Sequence, residues 1–210
     1  MTRPRHDFVW LASQSPRRAQ LLGQLGVAHR LLLAAADEDA EALEHELPGE
    51  APEAYVRRVT RAKLDAARRR LAARGGPAAP VLVADTTVAL GRRILGKPAD
   101  AEDARRILRL LSGRTHRVLT AGEVHAGARR HEAVSVSHVR FGRLDEDTIE
   151  AYVASAEPFG KAGAYAVQGP IAAWIERLSG SYSGVMGLPL CETRVLLDRA
   201  GVRRGLAPAQ

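Results

Sequence analysis

Residues 8–22, Phe8-Val9-Trp10-Leu11-Ala12-Ser13-Gln14-Ser15-Pro16-Arg17-Arg18-Ala19-Gln20-Leu21-Leu22, read as strand, turn and helix in immediate succession. Phe8 to Ala12 is a short apolar run suited to a buried strand. Ser13-Gln14-Ser15 is a turn, Ser15 is a good N-cap and Pro16 a good first helical residue. Gly26 closes the helix, and Arg30 to Ala34 reads as a second strand.

The same alternation continues along the chain. Pro52 to Arg74 is the longest helical pattern, with Tyr55, Val59, Ala62 and Ala66 on one face, and Gly75-Gly76-Pro77 stops it. Val81 to Ala84 reads as an apolar strand ending at Asp85-Thr86-Thr87, continued like a hairpin from Val88 to Leu95 through Gly91. Asp100 to Leu111 is a helix with Ile107, Leu108 and Leu111 inward. Arg117 to Ala121 and Ala133 to Phe141 alternate as strands, and Asp145 to Ala154 is a capped helix. Glu157 to Gly169 is a glycine-rich loop holding a short strand, Tyr165 to Val167. Ile171 to Ile175 reads as a strand, Ser179 to Gly187 as loop and Leu188 to Ala200 as the last helix. Alternating strands and helices argue an α/β fold. There is no internal repeat and no linker, so residues 1–210 are read as one domain whose final stretch, 203–210, is a frayed tail.

Composition bounds the function. The 210 residues are 46% hydrophobic and 26% charged, with one cysteine. No apolar run approaches the ~18–20 residues of a membrane helix. Asp7 interrupts the apolar stretch of the opening residues, so no signal peptide is expected and the cytoplasm is the default compartment. With Cys191 alone, a disulfide framework or a cysteine-rich zinc site cannot form within one chain, and this residue is expected as a small buried hydrophobe. The seven histidines are scattered, with no H-E-x-x-H, and His116 reads as a loop or packing residue. Neither a P-loop nor a G-x-G-x-x-G fingerprint is present.

Net charge is +7 and the pI about 10.3, which raises the prospect of polyanionic partners. The charges are segregated, however: residues 37–53 hold eight acids and no Lys or Arg, and residues 57–74 hold eight bases and one acid. A solvated helix face beside an acidic loop accounts for this. Aromatics are only 4%, with none interleaved in the basic run, so nucleic acid is not the expected partner. Of 31 basic residues only Lys63, Lys97 and Lys161 are lysine. In a chain so rich in arginine, positions that keep a compact ammonium are enriched for places where a planar guanidinium will not serve.

Four segments could carry chemistry. The strand-to-helix turn at Ser13–Arg18 presents free N–H groups and the positive end of the helix dipole, an anion site into which two first-turn arginines would otherwise fit poorly. Asp85, at the carboxyl end of a central strand, can hold a divalent metal or take a proton from water, or simply cap the threonine pair that follows. Gly96-Lys97-Pro98 offers a point charge for a phosphate. Gly160-Lys161-Ala162-Gly163, followed by Gln168-Gly169, offers close backbone approach and an amide able to read a base edge.

The order of these motifs, with Leu111-Ser112-Gly113-Arg114-Thr115-His116 and Met186-Gly187-Leu188-Pro189-Leu190, resembles the Maf-like nucleoside triphosphate pyrophosphatases from about Val9 to Ala200. The resemblance implies a two-lobed α/β fold, a central mixed sheet flanked by helices and an active cleft between lobes. It also implies hydrolysis of a nucleoside triphosphate to monophosphate and pyrophosphate with Mg²⁺ or Mn²⁺. Pro16-Arg17-Arg18, Asp85-Thr86 and Lys161 through Gln168 are similar to the dTTP/UTP branch. The sister branch acts on methylated guanine nucleotides, and typically has Gln after the aspartate and Cys-Ala-Gly in place of Lys161-Ala162-Gly163. Carried over by motif, Asp85 is the proton acceptor. Arg17, Thr86 and Gln168 set base specificity, and Ser13, Arg18, Lys63, Lys97 and Lys161 line the cleft. Asp85 and Glu38 are the implied metal ligands, with Asp37, Asp39 and Glu41 as alternatives to Glu38. A homodimer is what the resemblance suggests for assembly.

Overall fold

The computed structural model describes residues 6–35, 38 and 42–205. Seven strands form one mixed sheet: β1 (Val9–Leu11), β2 (His29–Leu31), β3 (Val81–Leu90), β4 (Arg93–Leu95), β5 (Thr115–Ala126), β6 (Arg129–Phe141) and β7 (Ile175–Ser179). Their order is β2-β1-β3-β5-β6-β7, with β4 also against β3. β2, β1 and β3 run parallel, whereas β3, β5, β6 and β7 form an antiparallel meander.

Helices cover both faces. α2 (Pro52–Arg74) begins with Pro52 in its first turn and ends at Gly75, whose φ of 63° makes it a left-handed cap. Its buried residues Tyr55, Val56, Val59, Leu64 and Ala67 pack on Val81, Val83, Ala89, Leu119 and Ala121. The opposite face holds the main core. There α1 (Pro16–Gln24), α3 (Ala101–Leu111), α4 (Glu146–Ala154) and α6 (Leu190–Arg199) bury Leu22, Ile107, Leu108, Ile149 and Leu197 with Leu82, Ala84 and Val88. The two-residue side-chain period of β3 therefore splits cleanly: 81, 83 and 89 face α2, and 82, 84 and 88 face the main core.

β3 is the pivot. One edge is paired with β5 without a break from Val81 to Ala89. On the other edge β1 pairs only as far as Leu82, and β4 begins only at Val88. Between them, Val83 to Thr87 have no strand partner on that side among the described residues.

Several expectations need correction. Asp85 does not end its strand. β3 runs on to Leu90, paired with β5 as far as Ala89, and only the parallel pairing with β1 stops early, at Leu82. β5 and β6 extend well beyond the expected stretches, because Gly122, Glu123 and His125 lower the apolar signal yet are held in the ladder by both neighbours. Residues 170–174 form a 3-10 helix started by Pro170, not a strand; the strand is the following Ile175–Ser179. Tyr165 to Val167 are irregular. Within the expected 179–187 loop lies a short helix, α5 (Tyr182–Met186), capped by Ser181, whose hydroxyl accepts from the Gly184 N–H at 2.9 Å. The last helix starts two residues later than expected, after Pro189. On α2, Ala62 and Ala66 are only half-buried. Cys191 is exposed rather than buried. Within the stretch expected as a tail, Arg203 donates to the His6 carbonyl and Gly205 to the Gly26 carbonyl. Residues 206–210 lie outside the described residues. No helix among the described residues is long and apolar enough to cross a membrane.

Candidate active site

The interruption in the ladder of β3 opens into a cavity of about 670 Å³, within the range of small-molecule sites. Asp85, Glu38, Arg17, Thr86, Gln168, Ser13, Arg18 and the three lysines all line this one cavity. Its walls are the Ser13–Arg18 turn, the middle of β3, the inner side of α2, the Gly96-Lys97 loop, the Phe159–Gln168 segment and Met186-Gly187.

Adjacent residues of one strand necessarily face opposite ways, so Asp85 and Thr86 address different elements. Asp85 points toward α2. It is only 6% exposed, and its Oδ1 accepts from Lys63 Nζ at 2.6 Å. Thr86 points toward α1. Its hydroxyl lies 2.9 Å from that of Thr120, its partner across the ladder on β5. Thr120 gives its single proton to the Gly184 carbonyl at 2.7 Å, so Thr86 donates to Thr120 and accepts from Arg18 Nη2 at 3.4 Å.

Arg18 is the clamp of this wall. Nε donates to the Gly187 carbonyl at 2.8 Å and Nη1 to Ser13 Oγ at 3.2 Å, besides the contact with Thr86. A guanidinium has five N–H groups, so two remain for an anion. Burial lowers the Arg18 pKa, while Asp85 and Glu44 act to raise it. Ser13 Oγ also accepts from the Ser15 N–H at 3.2 Å, which shapes the turn before α1. Gly187 has a φ of 115°, and its Cα faces the guanidinium so closely that a Cβ would lie 3.4 Å from Nε. Glycine there lets the carbonyl reach Arg18.

Two lysines complete the cationic lining. Lys63 donates to Asp85 and also, at 2.7 Å, to Glu44 Oε1. Lys97 Nζ lies 2.9 Å from Glu44 Oε2. Glu44 sits in a short 3-10 turn, residues 42–44, and Tyr55 of α2 donates to its carbonyl at 2.8 Å. Burial pushes the Glu44 carboxyl upward, but Lys63 and Lys97 outweigh it and hold it below the usual carboxylate range.

The third lysine, Lys161, donates to the Glu157 carbonyl. Burial lowers its pKa, as does the neighbouring Arg17. The segment after it docks on β3: Gly163 donates to the Gly96 carbonyl at 3.0 Å. With φ at 72°, a Cβ on Gly163 would meet Val88 carbons at 2.8 Å, so only glycine allows this approach. Beneath it Tyr165, His116 and Phe141 form a buried aromatic cluster, with Tyr165 Oη 2.8 Å from His116 Nε2. His116 is a packing residue, 1% exposed, and burial pushes its pKa down to about 4. Arg17 and the exposed Gln168 lie at the mouth.

The acidic candidates separate. Glu38 accepts from Arg70 with both carboxylate oxygens, and Arg70, then the Ala35 N–H, holds its pKa down to about 2. Asp37, Asp39 and Glu41 lie outside the described residues. Glu44, which was not singled out from the sequence, reaches Lys63, the lysine joined to Asp85, and Lys97 as well. Its only signal was membership of the acidic run facing the long basic helix. That run pairs with the helix in space: Arg58 with Glu50, Lys63 with Glu44, Arg70 with Glu38.

The profile of the Maf-like protein family matches residues 8–200. A dTTP/UTP pyrophosphatase of Polaromonas sp. is 62% identical over 200 residues, covering 95% of this chain and 99% of the relative. The dTTP/UTP pyrophosphatases of Albidiferax ferrireducens and Ralstonia nicotianae are each 60% identical, over 197 and 198 residues. They cover 94% of this chain, and the matches span 98% and 96% of their own lengths. A profile match across nearly the whole chain, together with relatives about 60% identical over nearly their full length, makes this chain a member of the Maf-like protein family.

Proposed function

We propose that the chain is a nucleoside triphosphate pyrophosphatase acting on dTTP and UTP, working on the nucleotide pool of the cytoplasm. The observation that carries this is the placement of one buried carboxylate, Asp85, in a cavity lined by Lys63, Lys97, Arg18 and the start of α1. A triphosphate tail needs several fixed cations, and the hydrolytic water needs one base within reach. The relatives' names supply the pyrimidine substrates.

In this reading the tail lies against the two uncommitted Arg18 N–H groups, the amide groups at the start of α1, and Lys97. A water attacks the α-phosphorus: a new P–O bond forms, the bond to the bridging oxygen of the leaving pyrophosphate breaks, and the proton passes to Asp85. Lys63 holds Asp85 in place from the α2 side. The cations offset charge as it builds on the leaving group.

A divalent cation, Mg²⁺ or Mn²⁺, is part of the proposal. No group of three or more His, Cys, Asp or Glu able to hold an ion is present among the described residues. An ion of the magnesium type takes one or two carboxylates and completes its shell with water and substrate phosphates. Asp85 suits that role; Glu38 suits it less well, because Arg70 already engages both its oxygens. Such an ion supplies Lewis-acid polarisation of the phosphoryl group and a more acidic water.

Gln168 and Arg17, at the mouth, are assigned to the pyrimidine. Thr86 keeps one lone pair after its bonds to Thr120 and Arg18, and it acts on specificity mainly by fixing Arg18. A homodimer remains part of the proposal. The test is a panel of canonical and modified triphosphates with Mg²⁺ or Mn²⁺, reading pyrophosphate against orthophosphate. dTTP and UTP should be cleaved fastest, with pyrophosphate as the product. Faster cleavage of GTP or a methylated GTP overturns the substrate assignment, and release of orthophosphate overturns the reaction.

A further inference from the structure

We propose that Phe159 is the stacking platform for the pyrimidine ring, a substrate-binding residue that covers the face of the base while Gln168 and Arg17 meet its edge. The proposal rests on the nucleotide reading above and adds a residue to it.

Three observations carry it. First, Phe159 is a large apolar side chain left 37% exposed and outside every hydrophobic cluster of the described residues, yet it lines the cavity. An exposed aromatic in a pocket points to a contact that the ligand completes. Second, the other aromatics of the cavity are committed. Tyr165 is packed against His116 and Phe141. Tyr55 is buried, lies beneath the Arg58 guanidinium and gives its hydroxyl to the Glu44 carbonyl. Among the described residues no ring or guanidinium lies over Phe159. Third, the loop that carries Phe159 is fixed against the segment that carries Gln168. Ala156 and Gly160, on either side of the ring, take left-handed φ of 59° and 70°, and the Phe159 N–H donates to the Ala156 carbonyl at 3.3 Å. Lys161 holds the Glu157 carbonyl, and the Glu157 carboxylate lies so close to Gly169 that a Cβ there would clash with it.

The chemistry of a nucleotide divides along the cavity. Its tail needs fixed charge, which Arg18, Lys97 and the start of α1 provide. Its base is neutral at neutral pH, with donors and acceptors confined to the edge and a flat π face above and below. Gln168 offers an amide for the edge. The face needs a flat apolar partner, and a phenyl ring supplies one at low entropic cost, having only two side-chain torsions to fix. Stacking is tolerant of ring identity, because every base has a π face. Phe159 therefore adds affinity for dTTP and UTP alike, and discrimination between bases stays with the edge contacts.

The test is steady-state kinetics of the full chain with Mg²⁺ on dTTP and UTP, beside the inhibition constant of inorganic pyrophosphate, with thermal melting as the folding control. Phe159→Ala should raise KM for both nucleotides about tenfold and leave kcat within about threefold of the native chain. Pyrophosphate has no base, so its inhibition constant should stay within about twofold. Phe159→Tyr keeps the ring and should hold KM within about threefold of the native chain. Phe159→Leu keeps the bulk without the π face and should resemble the Ala variant. Phe159→Ser provides the Ala reading should that variant fail to fold. An unchanged KM in the Ala variant overturns the proposal, as does a Leu variant as good as the native chain. Pyrophosphate binding that weakens as much as nucleotide binding also overturns it, since Phe159 would then be a prop for the loop. A native chain that releases pyrophosphate from dTTP while the Ala variant keeps its KM loses only the Phe159 assignment. A native chain that releases none loses the underlying function, and the platform with it.

Discussion

The two edges of β3 are built on opposite principles. Toward β5 the ladder is continuous from Val81 to Ala89, while toward β1 and β4 it is interrupted between Leu82 and Val88. The continuous edge makes Asp85 and Thr86 part of a rigid strand, and the interrupted edge lets a cavity reach them. A site on a sheet needs both, because side chains held within a fraction of an ångström must still be reached by a ligand. The charge follows the same division. Charged groups gather at the interruption, whereas His116, on β5 just past the end of the paired edge, is kept neutral by burial.

The sharpest way to separate the two edges is Asp85→Asn. It removes the base of the open edge while leaving every ladder pairing intact. Turnover of dTTP should fall by ~10²–10⁴-fold, with circular dichroism and melting showing a folded chain. Near-native turnover would remove Asp85 from the chemistry.

The paired edge should respond to pH instead. His116 titrates near 4 in the folded chain and near 6.5 when unfolded. Below pH 6.5 the unfolded chain takes up a proton that the folded chain refuses. Stability is therefore whole above 6.5 and declines as pH falls toward 4, by about 3 kcal/mol in all. Urea denaturation across this range checks it, and His116→Phe should flatten the slope.

Gly163→Ala probes where the two edges meet, at the Val88 end of the interruption. The added Cβ must displace Val88 or lift the Lys161 loop, at a cost of about 1–3 kcal/mol. KM should rise with it. A variant as stable and active as the native chain would show that the loop is not held as described.

The smallest effect is expected far from the cavity. Arg57 pairs with Glu53 on the exposed side of α2, and Glu53→Gln should change stability by less than about 1 kcal/mol and leave dTTP turnover unchanged.

Much of this was legible in the residues themselves. Ser15-Pro16 announced the start of α1, Gly75 the end of α2, and the apolar Val81–Ala84 run the central strand. The three lysines, rare in an arginine-rich chain, all line the cavity. What was not legible came from tertiary pairing. Asp85 looked like a strand end because polar residues follow it, yet β5 extends the ladder past it. The apolar residues 171–174 carry no period that separates strand from 3-10 helix. Glu44 could not be chosen from the eight acids of residues 37–53, since its place depends on which of them Tyr55 and Lys63 hold.

The central claim is that the interruption in β3 is where a triphosphate tail is gripped. The most direct measurement is a crystal structure with a non-hydrolysable dTTP analogue. The account predicts density for the phosphates between Arg18, the start of α1 and Lys97, with the α-phosphate nearest Asp85. Phosphate density anywhere else, such as along the exposed arginines of α2, with the cavity at Asp85 left empty, would contradict it.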